Sequence, residues 1–214
     1  MSEYLINSLV GLTVRITHCL KVSRCMARPR SEEKRLALLI AAAEAVAEHG
    51  LAGSPTSLIA KKASVAEGTL FRYFPTKEDL LNELYFYGKQ SLCEMLMRDY
   101  QSKASFRDRF QGLWNSYIDW GLANPQLSHA VNQLSLSSMI RPETLTRLEG
   151  LFPDMEVGLK FAESEEFGGR ADFAEAIFTA LAETTMSFAS REPSEAMFYK
   201  NSGFAALWKM CEGR

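Results

Sequence analysis

Histidine and cysteine are scarce in this chain of 214 residues. There are three histidines and four cysteines, and the cysteines form no CxxC pair or other spacing typical of a metal site. The sequence therefore predicts neither a zinc site nor any other cofactor. Because no cysteine pattern indicates a disulfide framework, we expect reduced thiols in a cytoplasmic protein.

Motifs that carry enzyme chemistry are also missing. The sequence contains no GxGxxG motif, no phosphate-binding loop, no HExxH motif and no recognisable pairing of a nucleophile with a base. Three scattered histidines offer little for acid–base work. We therefore expect a protein that binds other molecules and is not an enzyme.

Long hydrophobic runs are absent too. The apolar stretch within residues 1–25 is broken by Asn7, Ser8, Arg15 and His18, so it is too short and too polar to cross a membrane. It also lacks the basic start and the small-residue cleavage site of a secretory signal. We expect no membrane partner.

The pattern that remains is helical. Hydrophobic residues make up 47% of the chain, which is normal for a globular protein with a core, and strand-like alternation is almost absent. The seven prolines fall mostly at apparent helix starts. The predicted fold class is therefore all-α.

The chain is organised around residues 54–80, SPTSLIAKKASVAEGTLFRYFPTKEDL. The pattern predicts a short helix that Ser54, Thr56 or Ser57 can cap, then a turn, and a second helix from about Ala66 to Tyr73. Two short helices joined by about three residues match a DNA-binding helix-turn-helix, whose second helix enters the major groove. Many helical hairpins share this spacing, so on spacing alone ordinary packing stays open.

The residues themselves are more specific than the spacing. The run LIAKKASVAEGTLFRYFPTKEDLL closely resembles the N-terminal helix-turn-helix of the TetR/AcrR family of transcriptional regulators. In that family the block V-x-x-G-T-L-[aromatic]-x-[aromatic]-F-x-x-K-x-x-L joins the recognition helix to the next helix. Every element of the block is present, as Val65, Gly68, Thr69, Leu70, Phe71, Tyr73, Phe74, Lys77 and Leu80.

The resemblance implies that this region binds double-stranded DNA. We expect its basic residues and Tyr73 to contact phosphates, and its small residues to let the backbone approach the duplex closely. Glu67 can accept a hydrogen bond from cytosine N4. The predicted DNA-binding residues are Arg28, Arg30, Thr56, Lys61, Lys62, Ala66, Glu67, Gly68, Thr69, Arg72, Tyr73 and Lys77.

Leu70, Phe71 and Phe74 are predicted to form the buried side of the second helix. Arg28 and Arg30 are predicted to lie in a basic arm ahead of the first helix, where they either reach DNA or are simply solvated.

Charge divides the chain in the same place. Residues 26–77 carry a net charge of +3 and residues 78–214 a net charge of −7. A basic head on an acidic body suits a protein that touches a polyanion with one end, although chance clustering would also account for +3. We predict a helix-turn-helix domain at 26–77 and a ligand-binding and dimerisation domain at 78–214. Residues 1–25 are predicted to be a disordered or untranslated extension.

The body is predicted to begin with one long helix, from Thr76 to about Tyr100, which in the family links the head to the body. The last two helices, roughly Ala171–Ser190 and the one opened by Pro193, are apolar on more than one side. The resemblance implies that they form a homodimer. A two-fold dimer would present two recognition helices to a palindromic operator.

Aromatic residues are dense in the body. Tyr85, Trp114, Tyr117 and Phe178 fall on inward stripes, with Glu175 one turn before Phe178. Aromatic walls with one acid suit a planar, cationic, amphiphilic small-molecule effector. Plain core packing is the alternative, because aromatic stripes at helical spacing are usually core.

Four segments also resemble multidrug-binding repressors of the family: MARPRSEEK, SVAEGTLFRYF, LWNSYIDWGL and ALAETTM. In those repressors the positions that match Tyr85, Trp114, Tyr117 and Phe178 line the pocket. Glu175 stands where those repressors have an aspartate. The resemblance implies a transcriptional repressor that an effector releases from its operator, and that controls efflux or multidrug-response genes. The alternative is a constitutive DNA-binding regulator without a small-molecule inducer.

Overall fold

The computed structural model describes residues 29–98, 100, 104–148, 151, 160–164 and 167–211. These residues form helices and turns and contain no β-strand, which confirms the predicted all-α class. None of their helices is long and apolar enough to span a membrane. The expected extension at 1–25 lies outside the described residues, as does Arg28.

Nine α-helices and one 3-10 turn follow one another along the described residues. They are α1 (Pro29–His49), α2 (Thr56–Lys62), α3 (Glu67–Tyr73), α4 (Lys77–Arg98), α5 (Phe106–Ala123), α6 (Pro125–Ser135), α7 (Pro142–Leu148), α8 (Ala171–Arg191), the 3-10 turn Pro193–Glu195 and α9 (Ala196–Lys209).

Two hydrophobic cores hold these helices together. The first joins α1, α2 and α3 to α4, α6 and α7, with Ile59, Leu70 and Leu84 at its centre. The second joins α5, α8 and α9 around Trp114 and Phe204. Because α4 takes part in the first core along its length, the N-terminal helices are packed against the rest of the chain without an intervening linker.

The start of α4 is fixed by a reciprocal cap. The Thr76 hydroxyl accepts a hydrogen bond from the Asp79 backbone N–H at 3.0 Å, and the Asp79 carboxylate accepts one from the Thr76 backbone N–H at 3.1 Å. Such a capping box satisfies two backbone donors that a helix start leaves open. The predicted helix start at Thr76 is therefore confirmed, and α4 runs unbroken across the expected domain boundary after Lys77.

Two predicted helix starts are wrong. The first helix begins at Pro29, so Arg30 lies in its first turn and not in an arm ahead of it. Neither Ser54 nor Thr56 caps α2, whose N-cap position is Pro55. Ser54 is buried and donates its hydroxyl to the Leu51 carbonyl at 3.1 Å instead, which fastens the turn after α1.

Candidate functional site

The turn between α2 and α3 sets the direction of α3. Ser64 takes a left-handed conformation with φ of 55°, and the Val65 N–H donates to the Ala60 carbonyl at 3.0 Å. Leu70 and Phe74, four residues apart, are buried in the first core. With that side of α3 held inward, the opposite side faces solvent.

The solvent-facing surface carries most of the residues predicted to bind DNA. Ala66, Glu67, Gly68 and Arg72 are exposed, and Lys61 is exposed at the end of α2. A Cβ atom added at Gly68 would meet nothing within 4 Å, so the backbone is open at that point. Thr69 and Tyr73 are half-buried at the edge of this surface, which we call the α3 surface.

Phe71 also lies on the α3 surface, and its predicted burial is wrong. Its side chain is 42% exposed. Adjacent residues of a helix point about 100° apart. Here Leu70 points inward together with Phe74, which directly follows α3, and Phe71 projects toward solvent. An exposed aromatic ring beside Arg72 suits apolar contact with a thymine methyl group, which the sequence analysis missed.

Two basic residues of the predicted set have partners within the protein. The Lys62 ammonium lies 2.9 Å from a Glu48 carboxylate oxygen on α1, and this bond lowers the pKa of Glu48. The Lys77 ammonium donates to the Leu51 carbonyl at 2.8 Å. Lys61, by contrast, makes no ion pair with any residue that the structure describes.

Thr56 and Glu67 tie the starts of α2 and α3 together. The Thr56 hydroxyl donates to a Glu67 carboxylate oxygen at 2.7 Å. This bond holds the Glu67 carboxylate at the edge of the α3 surface. There the carboxylate can accept a hydrogen bond from a DNA base only in a fixed direction. For Arg30 the structure describes the backbone alone.

Alanine substitutions should separate Lys61 from Lys62. Lys61→Ala should weaken binding to duplex DNA and reduce the salt slope of log K by about one, because one phosphate contact is lost. Lys62→Ala should leave DNA affinity nearly unchanged and cost less than about 1 kcal/mol of stability. Fluorescence anisotropy at several salt concentrations measures both. Equal losses of DNA affinity in the two variants would contradict the assignment.

The residues predicted to bind an effector come together in the body. The Phe178 ring meets Trp114 at 5.4 Å and Tyr117 at 5.1 Å between ring centroids, edge to face in both cases. Trp114 is fully buried, and its indole N–H donates to the Lys200 carbonyl at 2.9 Å. We call Tyr85, Trp114, Tyr117 and Phe178 the aromatic cluster.

Lys89 joins Tyr85 to Glu175, and the sequence analysis missed it. The Lys89 ammonium lies 3.6 Å from a Glu175 carboxylate oxygen and 5.4 Å from the Tyr85 ring centroid. Burial by itself lowers the pKa of Lys89, but its neighbours Tyr85, Glu175 and Tyr117 outweigh burial and raise that pKa above its ordinary value. Glu175 therefore already has a cation beside it. The spacing of Tyr85 and Lys89, one turn apart on α4, is compatible with their contact but gives no sign of the pairing with Glu175.

A separate cavity of about 270 Å³ lies between the end of α4 and the start of α5. It lies on the side of α5 away from Trp114, so it is distinct from the aromatic cluster. Its lining residues are Leu96, Tyr100, Ala104, Asp108, Arg109, Gly112, Leu113 and Ser116.

The last two helices carry large apolar side chains that are about half exposed or more in the described part of the chain. Phe173 and Phe188 on α8 and Met197 and Phe198 on α9 are all exposed.

Over the described residues, no group of three or more His, Cys, Asp or Glu side chains could hold a metal ion.

Residues 38–84 match the family model described as bacterial regulatory proteins, tetR family. This range includes α2, α3 and the α3 surface.

Comparison with curated proteins gives a relative in Bacillus subtilis (strain 168), a fatty acid metabolism regulator protein. It is 37% identical over 76 residues, which cover 36% of this chain. The chain matches only 39% of the length of that relative.

Two solved structures share the fold at lower identity. A TetR family transcription regulator from Marinobacter aquaeolei VT8 is 22% identical with a TM-score of 0.65, and the match covers 84% of this chain and 98% of that one. The transcriptional regulator FadR from Bacillus subtilis, solved in complex with stearoyl-CoA, is 20% identical with a TM-score of 0.57 and coverages of 80% and 96%.

The relatives are transcription regulators and not enzymes, which confirms that prediction. The matches support a likeness to the TetR family. They give no support to a closer likeness to its multidrug-binding members, such as the repressor RamR.

Proposed function

We propose that this chain, a DNA-binding regulator of the TetR family, is a repressor that binds a palindromic operator as a homodimer and leaves it when an amphiphilic small molecule enters the aromatic cluster. The observation that carries the proposal is the α3 surface, which combines an open backbone at Gly68 with Lys61 and Arg72 facing solvent. A recognition helix needs such a surface to enter the major groove.

The homodimer is supported by the exposed apolar residues of α8 and α9. Large apolar side chains clustered at a surface mark interaction sites more often than chance. Pairing α8 and α9 with their copies would bury Phe188, Met197 and Phe198. A two-fold axis at that interface would present two copies of α3, as a palindromic operator requires.

The first candidate effector is a planar cationic amphiphile, and the regulated genes would then be those of efflux or multidrug response. Edge-to-face rings around Phe178 can open to stack on a flat ligand. A cationic ligand would pair with Glu175 in place of Lys89, so that an ion pair between ligand and Glu175 replaces the one between Lys89 and Glu175.

A second candidate effector is an anionic amphiphile such as an acyl-CoA. Lys89 favours it, because this cation could release Glu175 and bind a negative headgroup beside the same rings. The likeness to the Bacillus subtilis proteins supports it as well, since one of them regulates fatty acid metabolism and one binds stearoyl-CoA.

Substitutions at the ion pair should decide between the two candidates. If the effector is cationic, Glu175→Gln should weaken ethidium binding by about tenfold or more, the value of one charged hydrogen bond, while Lys89→Met should not weaken it. If the effector is anionic, Lys89→Met should weaken stearoyl-CoA binding and Glu175→Gln should not. Quenching of tryptophan fluorescence measures both, because Trp114 lies in the cluster.

Wild-type protein is the control in each titration. Binding of neither compound to the wild type would contradict both candidates. The remaining interpretation would then be a constitutive DNA-binding regulator whose aromatic residues are core.

A further inference from the structure

A buried asparagine on α6 links Tyr117 of the aromatic cluster, on α5, to Glu183 on α8. The Tyr117 hydroxyl on α5 donates to Asn132 Oδ1 at 3.1 Å, and Asn132 Nδ2 donates to a Glu183 carboxylate oxygen on α8 at 2.9 Å. Asn132 itself is buried, whereas Glu183 is exposed. Three helices of the body therefore meet at one amide side chain.

The chemistry of the three groups fixes the direction of these bonds. An ionised carboxylate only accepts, so the Asn132 NH₂ group must face Glu183 and its oxygen must face Tyr117. Burial raises the pKa of the Tyr117 hydroxyl, which therefore keeps its proton and donates it. The hydrogen bonds therefore run in one direction, from Tyr117 through Asn132 to Glu183. A ligand group that accepts the hydrogen bond of the Tyr117 hydroxyl would take that donor away from Asn132.

The other side of α6 contacts the DNA-binding head. α6 packs against α1, and Val131 and Leu134 belong to the same core as Leu39. The Gln133 amide, next to Asn132, donates to the Val46 carbonyl of α1 at 3.4 Å. A rotation of α6 about its axis would therefore displace α1.

We propose that Asn132 is the positioning residue that couples effector binding to the DNA-binding head, by holding α6 in the register that matches the empty aromatic cluster. The inference rests on the proposed function, since it explains how that site acts at a distance. When an effector engages Tyr117, Asn132 loses its donor, the rotation of α6 is no longer fixed, and α1 shifts. Asn132 touches neither DNA nor effector.

The DNA Kd, measured with and without ligand, reports the coupling. Asn132→Leu has similar volume and cannot make the two bonds. It should weaken the DNA Kd without ligand toward the value that wild type shows with saturating ligand, because α6 is no longer held in its register. The DNA Kd with saturating ligand should stay within about threefold of wild type. The ratio of DNA Kd with saturating ligand to DNA Kd without ligand should fall from the usual range of about 5–150 to below about 3. Ethidium and stearoyl-CoA are the two probes.

Glu183 provides a second variant at an exposed position, where folding is tolerant of change. Glu183→Leu removes the acceptor for the Asn132 amide and should reduce the same ratio. Glu183→Gln keeps an acceptor oxygen and should restore the wild-type ratio. Ser128→Ala, a buried polar position on α6 outside the chain of bonds, is the matched control and should also match wild type.

The outcomes separate this inference from the proposed function. Loss of coupling in Asn132→Leu and Glu183→Leu, with the DNA Kd at saturating ligand kept and both controls normal, supports it. Wild-type coupling in those two variants overturns it and leaves the ligand-released repressor standing. Wild-type protein that binds DNA and is released by neither probe overturns the release step itself, and the inference with it.

Discussion

Trp114→Ala should lower the free energy of unfolding by about 3–5 kcal/mol, as expected for truncating a large buried aromatic side chain. Trp114 is fully buried between α5, α8 and α9. Its loss leaves a cavity beside Phe178 and Phe204, and it leaves the Lys200 carbonyl without the indole N–H. Denaturant unfolding followed by circular dichroism measures the change.

Trp114→Phe is the matched control for this experiment. It keeps an aromatic ring for Phe178 and loses the N–H donor and part of the volume, so a cost of about 1–2 kcal/mol is expected. A Trp114→Ala variant as stable as wild type would show that the cluster is a loosely filled pocket and not part of the core.

Gly68→Ala should change DNA affinity and stability in opposite directions. Alanine is a better helix former than glycine by about 1 kcal/mol, and a Cβ at this position meets nothing within 4 Å, so the folded protein should become more stable. The added methyl group stands on the α3 surface, where it would hold the backbone away from the duplex. We expect DNA binding to weaken by about tenfold or more, the equivalent of 1.4 kcal/mol.

Gly112→Ala is the control for helix propensity. Gly112 is an exposed glycine of α5 whose added Cβ would also meet nothing within 4 Å. It should give a similar gain in stability without any loss of DNA affinity. Anisotropy with duplex DNA and thermal unfolding of both variants provide the comparison. Undiminished DNA binding by Gly68→Ala would contradict a recognition role for α3.

The helix-turn-helix could be predicted because its residues are locally determined. A block from Val65 to Leu80 carries the resemblance to the family, and the start of α4 follows from Thr76 and Asp79, which cap each other within four residues. The wrong prediction at Phe71 came from periodicity, which fixes the direction of a buried stripe poorly in a helix of only seven residues.

The polar partners within the body could not be predicted in the same way. The pairing of Lys89 with Glu175 joins α4 to α8, and the bond from Tyr117 to Asn132 joins α5 to α6. Such contacts depend on how the helices are arranged in space, and a single sequence carries no periodic signal for them. Helical periodicity placed the aromatic residues on inward faces, but it carries no information about their contacts with Lys89.

The most direct test of the whole account is a gel shift with DNA from just upstream of this gene, repeated with ethidium and with stearoyl-CoA. We expect the wild-type protein to shift this DNA, and we expect one of the two compounds to abolish the shift. A shift that neither compound alters would contradict release by an effector in the aromatic cluster. No shift there, together with no site found by genome-wide binding, would contradict the DNA-binding function itself.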